Sequence, residues 1–277
     1  MDWETLLEGV REIALRAGDY LKSERVSISR DQIEIKGQGD FVSRADRNAE
    51  ELLRKGLTEL IPGSVVMAEE GSPEARGGEW RWIVDPLDGT ANYLAGLPIW
   101  CVSIALEDRR ENPERFGPRV LGVVHAPLLE TTWTAIRGGG TFRNGKRVFV
   151  REPEETSRAL LATAFPFKER KRLSSFLDLF SKIYMQIGDV RRAGSAAIDL
   201  AWTSDGTFNG YFEAGLNPWD AAAGVLLVEE AGGTVTDWWG SDPLETGWVI
   251  SGAPGIYRLV REAAQELEIS PPERRLR

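Results

Sequence analysis

The stretch "WIVDPLDGTANYLAGLPIWCVSIAL", residues 82 to 106, ends an apolar run on two aspartates three apart and then opens a helix on Gly-Thr before a second apolar run begins. Strands are predicted at 81 to 85 and 100 to 106. Asp85 then sits at a sheet edge with its carboxylate in a cleft, and the turn through Pro86 and Leu87 brings Asp88 back towards it. Two buried carboxylates this close repel unless a cation joins them or one takes a proton. Mg²⁺ suits such an all-oxygen site. Gly89 and Thr90 begin a short helix whose free N–H groups and positive dipole end favour a phosphate. The chemistry this suggests is metal-assisted attack on a phosphate ester.

Plainer readings exist for each piece alone. "DPLDGT" also fits an Asx turn capping a helix, with Asp85 a solvated strand end. Glu69 and Glu70 in "VMAEEGSP", residues 66 to 73, fit a solvated turn; Asp46 fits a helix cap; Asp220, after Trp219, fits the N-cap of its helix. Their joint presence favours the acidic metal site. Four similar motifs fail on particular residues. "GTFRNGKR", 140 to 147, puts Arg147 where a P-loop needs Ser or Thr, and Leu87 interrupts the alternating acids of a calcium loop. Pro86 stands where an aspartyl-phosphate enzyme would place an Asp two before Asp88, and "GQGDFV", 37 to 42, lacks the third glycine of a dinucleotide fingerprint.

Composition narrows the chemistry further. The 277 residues, 42% of them hydrophobic and ten of them Trp, suffice for a well-buried core. A formal charge of -9 argues against a general nucleic-acid binder, and no run approaches the length needed to span a bilayer. One cysteine, Cys101, allows no intrachain disulfide, and the charged start "MDWETLLEGVREIALRAGDYL" offers no secretion signal, so cytoplasm is the expected compartment. The single histidine, His125, lies in the apolar run "VLGVVHAPLL" and reads as structural. Carboxylates are left as the candidate reactive groups.

Along the chain, apolar residues from Trp3 to Leu21 recur at helical spacing, and Ser43 with Asp46 makes a capping-box-like start for a second helix. Strands follow at 64 to 68 and 120 to 125, then a hairpin around Asn144-Gly145. The polar "REPEETSR" separates two halves, 1–152 and 153–277. The second half carries a strand at "ALLATAF", helices near 169 to 184 and 195 to 203, a strand at "FNGYFEAG", a helix starting near Asp220, further strands near 234 and 248, and a last helix from about 255 to 268. Mixed sheets layered with helices are expected.

Five ordered stretches, "KGQGDFVSRAD" (36 to 46), "AEEG" (68 to 71), residues 82 to 106, "RRAGSAAIDLAW" (191 to 202) and "NPWDAAAGVLLVEEAGG" (217 to 233), together resemble the inositol monophosphatase family in its bacterial inositol-1-monophosphatase-like branch. The resemblance implies a five-layered αβαβα sandwich of the inositol monophosphatase/fructose-1,6-bisphosphatase type, a homodimer, and a site between the halves. It implies two or three Mg²⁺ ions on Glu69, Asp85, the carbonyl of Leu87, Asp88 and Asp220. Glu69 and Thr90 match the positions that orient the attacking water, Asp46 the partner of the threonine hydroxyl, and Gly89 and Thr90 the backbone donors to phosphate. Gly194, Ser195, Ala196 and Glu213 match residues at the alcohol, which Asp88 and Asp220 also touch. The implied activity is hydrolysis of a small-molecule phosphate ester, myo-inositol 1-phosphate first, with lithium sensitivity and no nucleic-acid or membrane partner. Fructose-1,6-bisphosphatase, histidinol phosphatase and 3'-phosphoadenosine 5'-phosphate phosphatase share the metal motif, and a regulatory protein keeping the fold is the non-enzymatic alternative. Ala91, where many relatives carry Thr or Lys, speaks against the nucleotide branch.

Overall fold

The computed structural model describes residues 1–25, 33–37, 40–71, 77–111 and 113–267. In the first half, α1 (Trp3–Arg25), β1 (Ile33–Gly37), β2 (Asp40–Ser43) and α2 (Arg44–Leu60) precede β3 (Val65–Ala68), β4 (Trp80–Asp88), α3 (Thr90–Ala95), β5 (Cys101–Asp108), β6 (Arg119–Ala126), β7 (Thr131–Ile136), β8 (Gly140–Arg143) and β9 (Lys146–Val148). In the second, β10 (Leu160–Thr163), α4 (Leu173–Tyr184), β11 (Asp189–Arg191), α5 (Ala196–Ser204), β12 (Gly210–Ala214) and α6 (Pro218–Glu230) lead to β13 (Thr234–Thr236), α7 (Pro243–Thr246), β14 (Trp248–Gly252) and α8 (Pro254–Glu266).

Strands β3 to β9 form a seven-stranded sheet in sequence order, antiparallel except for the parallel pair β3 and β4. The second sheet has the order β11-β10-β12-β14-β13 and is mixed. Helices α1 and α2 cover one face of the first sheet, α5 and α6 fill the space between the two sheets, and α4 and α8 close the far face of the second. This is the αβαβα sandwich that the family resemblance implies.

Alternation along the strands decides which side chains reach which layer. On β4, Trp82 and Val84 join the core under α1 and α2, while Ile83 points the other way into the core around α5 and α6. That middle core draws on both sheets, from Met67 to Val249, so the two halves share one apolar interior. Asp2 starts α1 by accepting from the backbone N–H of Glu4 and Thr5 at 3.2 and 3.3 Å. At the hairpin, Asn144 and Gly145 have φ of 48° and 75°, the paired positive values of a type I′ turn. The Ser43 side chain of the expected capping box lies outside the described residues, and Asp46 falls in the first turn of α2. Among the described residues no helix is long and apolar enough to cross a membrane.

His125 is a satisfied core residue, 5% exposed, with Nδ1 2.9 Å from Thr132 Oγ1. Burial lowers its pKa to about 4. Because the unfolded chain takes up this proton near the ordinary histidine value and the folded chain does not, its contribution to stability is lost as pH falls from about 6.5 through about 4. Between about pH 7 and about pH 5 this group alone withdraws about 2 kcal/mol. Thermal unfolding of His125→Asn across that window is expected to show a shallower acid dependence than the wild type; parallel curves would assign the acid lability elsewhere.

Candidate metal centre and active site

The two aspartates of the motif meet because β4 is bulged. Asp85 pairs with Ser103 and Asp88 with Cys101, so three steps on β4 match two on β5. Residues three apart on a regular strand face opposite sides; the extra residue brings Asp85 and Asp88 to one side, that of Ile83 and Cys101, towards α5 and α6. Pro86, having no N–H, cannot continue the ladder at this point. The turn is tied internally: Leu87 N–H donates to Asp85 Oδ1 at 2.9 Å, and the Thr90 hydroxyl donates to the Leu87 carbonyl at 2.9 Å. An Asx turn therefore exists here, but it is made by the buried Asp85; at Asp88, where the plainer reading places it, no side chain caps α3, whose N-cap is Gly89.

Gly89 enters α3 with φ 92°, and a Cβ there would lie 2.9 Å from the Ile99 carbonyl oxygen. Only glycine combines that left-handed backbone with so close an approach.

From the second half come the groups that complete the cluster. Asp88 Oδ2 accepts from the Ser195 hydroxyl and, at 2.8 Å, from the backbone N–H of Ala197 at the start of α5. Asp220 is not the N-cap of α6. Pro218 at the first helical position, with its φ already helical, starts the helix earlier, Asn217 is the cap, and Asp220 at the third position accepts from the Asn217 N–H at 2.7 Å. The Ser103 hydroxyl, 3.4 Å from the Trp219 carbonyl, ties this helix start to β5. Asp85, Asp88 and Asp220 thereby bring one carboxylate oxygen each to within 4.8 Å of one another.

Glu69 follows β3. The parallel pairing of Ala68 with Val84 puts it beside Asp85 one step further on. Its turn is held by Glu50 on α2, whose Oε2 accepts from the N–H of Glu70 and Gly71 at 2.8 and 3.1 Å. Asp46, buried one helical turn before Glu50, lies within electrostatic reach of the same cluster. Burial first, then the charges of Asp88, Glu69, Asp220 and Asp46, push the Asp85 carboxyl well above the usual carboxylate range. Such mutual repulsion in an all-oxygen donor set is the condition that a hard divalent cation relieves. The residues present fit the metal. In one respect the geometry differs from the expectation: the Thr90 hydroxyl donates to Leu87, where the resemblance pairs it with Asp46.

The expected alcohol-facing residues form a wall beside the acids. Gly194, with φ 94°, precedes Ser195, the N-cap of α5, whose hydroxyl accepts from Ile198 N–H at 3.3 Å. Ser195 is 2% exposed, and its hydroxyl also donates to Asp88. Ala196 is the first residue of α5. Glu213, on β12, accepts from the Tyr211 hydroxyl, and burial pushes its pKa up to about 8 against the lowering effect of that bond. Asp199, a residue that the sequence reading passes over, is buried on α5 with Oδ1 unbonded, and burial and the charge of Glu213 hold its pKa well above the ordinary value. Glu50, Asn92 and Tyr211 likewise lie outside the sequence reading; only Glu50 carries a sequence signal, its i, i+4 spacing from Asp46.

The profile of the inositol monophosphatase family matches residues 2 to 268. An inositol-1-monophosphatase of Mesorhizobium japonicum is 38% identical over 263 residues, 94% of this chain and 96% of its own. A fructose-1,6-bisphosphatase/inositol-1-monophosphatase of Aquifex aeolicus is 34% identical over 260 residues, 94% of this chain and 95% of its own. The crystal structure of the extragenic suppressor protein suhB from Bartonella henselae superposes with a TM-score of 0.85 at 32% identity, covering 95% of this chain and 99% of that one. With the layered fold, the bulged aspartate pair and these relatives in agreement, the chain belongs to the inositol monophosphatase family, a family of metal-dependent phosphatases.

Proposed function

We propose that the protein is a Mg²⁺-dependent phosphomonoesterase hydrolysing myo-inositol 1-phosphate or a similar small polyol phosphate. The convergence of Asp85, Asp88 and Asp220 from two halves of the chain carries this reading. Glu69, Asp85, the Leu87 carbonyl, Asp88 and Asp220 would hold the metal, which when bound supplies neutralising charge and Lewis-acid stabilisation of the phosphoryl oxygens. The chain does the rest by placement. Glu69 and Thr90 orient the attacking water; the Thr90 oxygen takes a proton from that water as its own hydroxyl proton passes to Asp46, once the hydroxyl turns from the Leu87 carbonyl, its acceptor in the structure, and the departing alcohol oxygen takes up a proton from solvent water. Backbone N–H groups of Gly89 and Thr90 bind phosphate oxygens, and water displaces the alcohol directly, without a covalent enzyme intermediate. Glu213 accepts hydroxyls of the alcohol beside Gly194, Ser195 and Ala196, a role supported by its buried place next to the acids.

The name of the Aquifex relative joins fructose-1,6-bisphosphatase to inositol-1-monophosphatase and favours the bisphosphate as the second reading. Specificity constants with Mg²⁺ for inositol 1-phosphate, fructose 1,6-bisphosphate, histidinol phosphate and 3'-phosphoadenosine 5'-phosphate separate the readings, with Li⁺ inhibition followed in the same assay. Inositol 1-phosphate is expected to lead by about tenfold or more, the discrimination available from a few well-placed hydrogen bonds. A lead for the bisphosphate would transfer the assignment to the second reading. No turnover of any of the four, with thermal stabilisation by Mg²⁺ retained, would point to a regulatory member of the family.

A further inference from the structure

Asn92 is the third residue of α3, four beyond Asp88, and is 6% exposed. Its side-chain amide donates twice: to the Ile99 carbonyl at 2.7 Å and to the Ala193 carbonyl at 2.8 Å. Both partners are acceptors, so only the NH₂ end of the amide fits between them and its two hydrogens are both used. The first bond closes the turn between α3 and β5. The second reaches 101 residues along the chain to the segment just before Gly194 and Ser195. Gly194 is shaped to this approach: its φ is 94°, and a Cβ would fall 2.9 Å from Asn92 Nδ2.

We propose that Asn92 is a positioning residue that holds the alcohol-facing loop at Gly194 in register with the acidic loop at Asp85 and Asp88. The inference rests on the polyol-phosphatase reading. Gly194 is clamped on both sides, with Ala193 held by Asn92 and Ser195 by Asp88. Of these two ties, the one to Asn92 uses no acid, so its bonds do not compete with a cation for a carboxylate oxygen. Both ties start from the short segment Asp88 to Asn92, which also supplies the backbone donors proposed for the phosphate. One side chain thus sets the distance between the bond to be broken and the wall that recognises the alcohol, a distance to which turnover is sensitive on the scale of about 1 Å.

Two variants test this. Asn92→Asp keeps the shape and turns a carboxylate on two carbonyl oxygens; Asn92→Ala removes the donors without adding charge, and serves should the first fail to fold. Both are compared with the wild type on inositol 1-phosphate and on p-nitrophenyl phosphate, whose leaving group has no hydroxyls for the wall to recognise. Hydrogen–deuterium exchange is followed at the amides of residues 194 to 197. KM for inositol 1-phosphate is expected to rise about tenfold or more while kcat/KM for the aryl ester changes less than about threefold, with an unchanged Mg²⁺ requirement and faster exchange in the loop. Equal losses on the two esters, an unchanged KM, or unchanged exchange would each overturn the proposal. A wild type that hydrolyses neither ester would refute the phosphatase reading itself, and the exchange experiment would still decide whether Asn92 holds the loop.

Discussion

Asp85→Asn is expected to lower kcat/KM for the polyol phosphate by about three orders of magnitude, about 4 kcal/mol of transition-state stabilisation, while the protein stays folded. The two halves of this expectation have different origins. An asparagine has the shape of aspartate, and its carbonyl oxygen can still accept from the Leu87 N–H that closes the turn, so the bulge on β4 is preserved. What disappears is the charge at the centre of the cluster, on a group that feels Asp88, Glu69, Asp220 and Asp46 together. In EDTA the variant is therefore expected to melt no lower than the wild type, since a buried carboxyl under mutual repulsion is replaced by a neutral amide. Added Mg²⁺ is expected to raise the melting temperature of the wild type and leave the variant almost unmoved, because only a state that binds the ion is stabilised by it. Full activity in the variant would remove Asp85 from the metal centre, and a collapse of stability in EDTA would show that its role is to hold the turn.

The parts of this site that the sequence makes legible are those with local causes. Pro86 and Gly89 punctuate residues 82 to 106 strongly enough that strand, turn, short helix and strand all follow from composition, and Asn144-Gly145 announces its hairpin in the same way. The layer order follows from the family resemblance and not from periodicity. Hidden from a linear reading are the ties that join distant segments. Glu50 reaches the turn at Glu70 across 20 residues, and Asn92 reaches Ala193 across 101; Asn92 does not stand out in its helix and the spacing of Glu50 from Asp46 does not name its partner, because the partner in each case is a backbone group with no signature in sequence. The same limit explains two shifts of role. Ser195 reads only as part of the loop at the alcohol, and its position as N-cap of α5 adds bonds to Ile198 and Asp88. Asp220 reads as an N-cap because helix caps favour aspartate, but Pro218 moves the cap three residues earlier, to Asn217, and turns the carboxylate into the inner half of a capping box facing the acidic cluster.

A second substitution with a large expected effect is Gly89→Ala, and its natural control lies at the other end of the same helix. Gly89 and Gly96 bracket α3 with nearly equal left-handed backbones, φ 92° and 89°, so alanine at either position incurs the same penalty of about 1 kcal/mol for the conformation alone. They differ in what a methyl group would meet. At Gly96 the nearest atom is the guanidinium end of Arg25 at 3.4 Å, which can swing aside. At Gly89 the Cβ would lie 2.9 Å from the Ile99 carbonyl and 3.2 Å from the Trp100 Cα, backbone that is fixed by the start of β5 and by the fully buried Trp100 ring. The helix must then move, and Asp88, Thr90 and Asn92 move with it. Gly89→Ala is accordingly expected to lose about 3 kcal/mol of stability and about a hundredfold or more in turnover, against about 1 kcal/mol and no more than about twofold for Gly96→Ala. Urea unfolding and steady-state kinetics on the two purified variants measure both quantities. Equal losses at the two positions would mean that the left-handed backbone alone accounts for the effect, and that the close packing of Gly89 against β5 plays no part in aiming the aspartates.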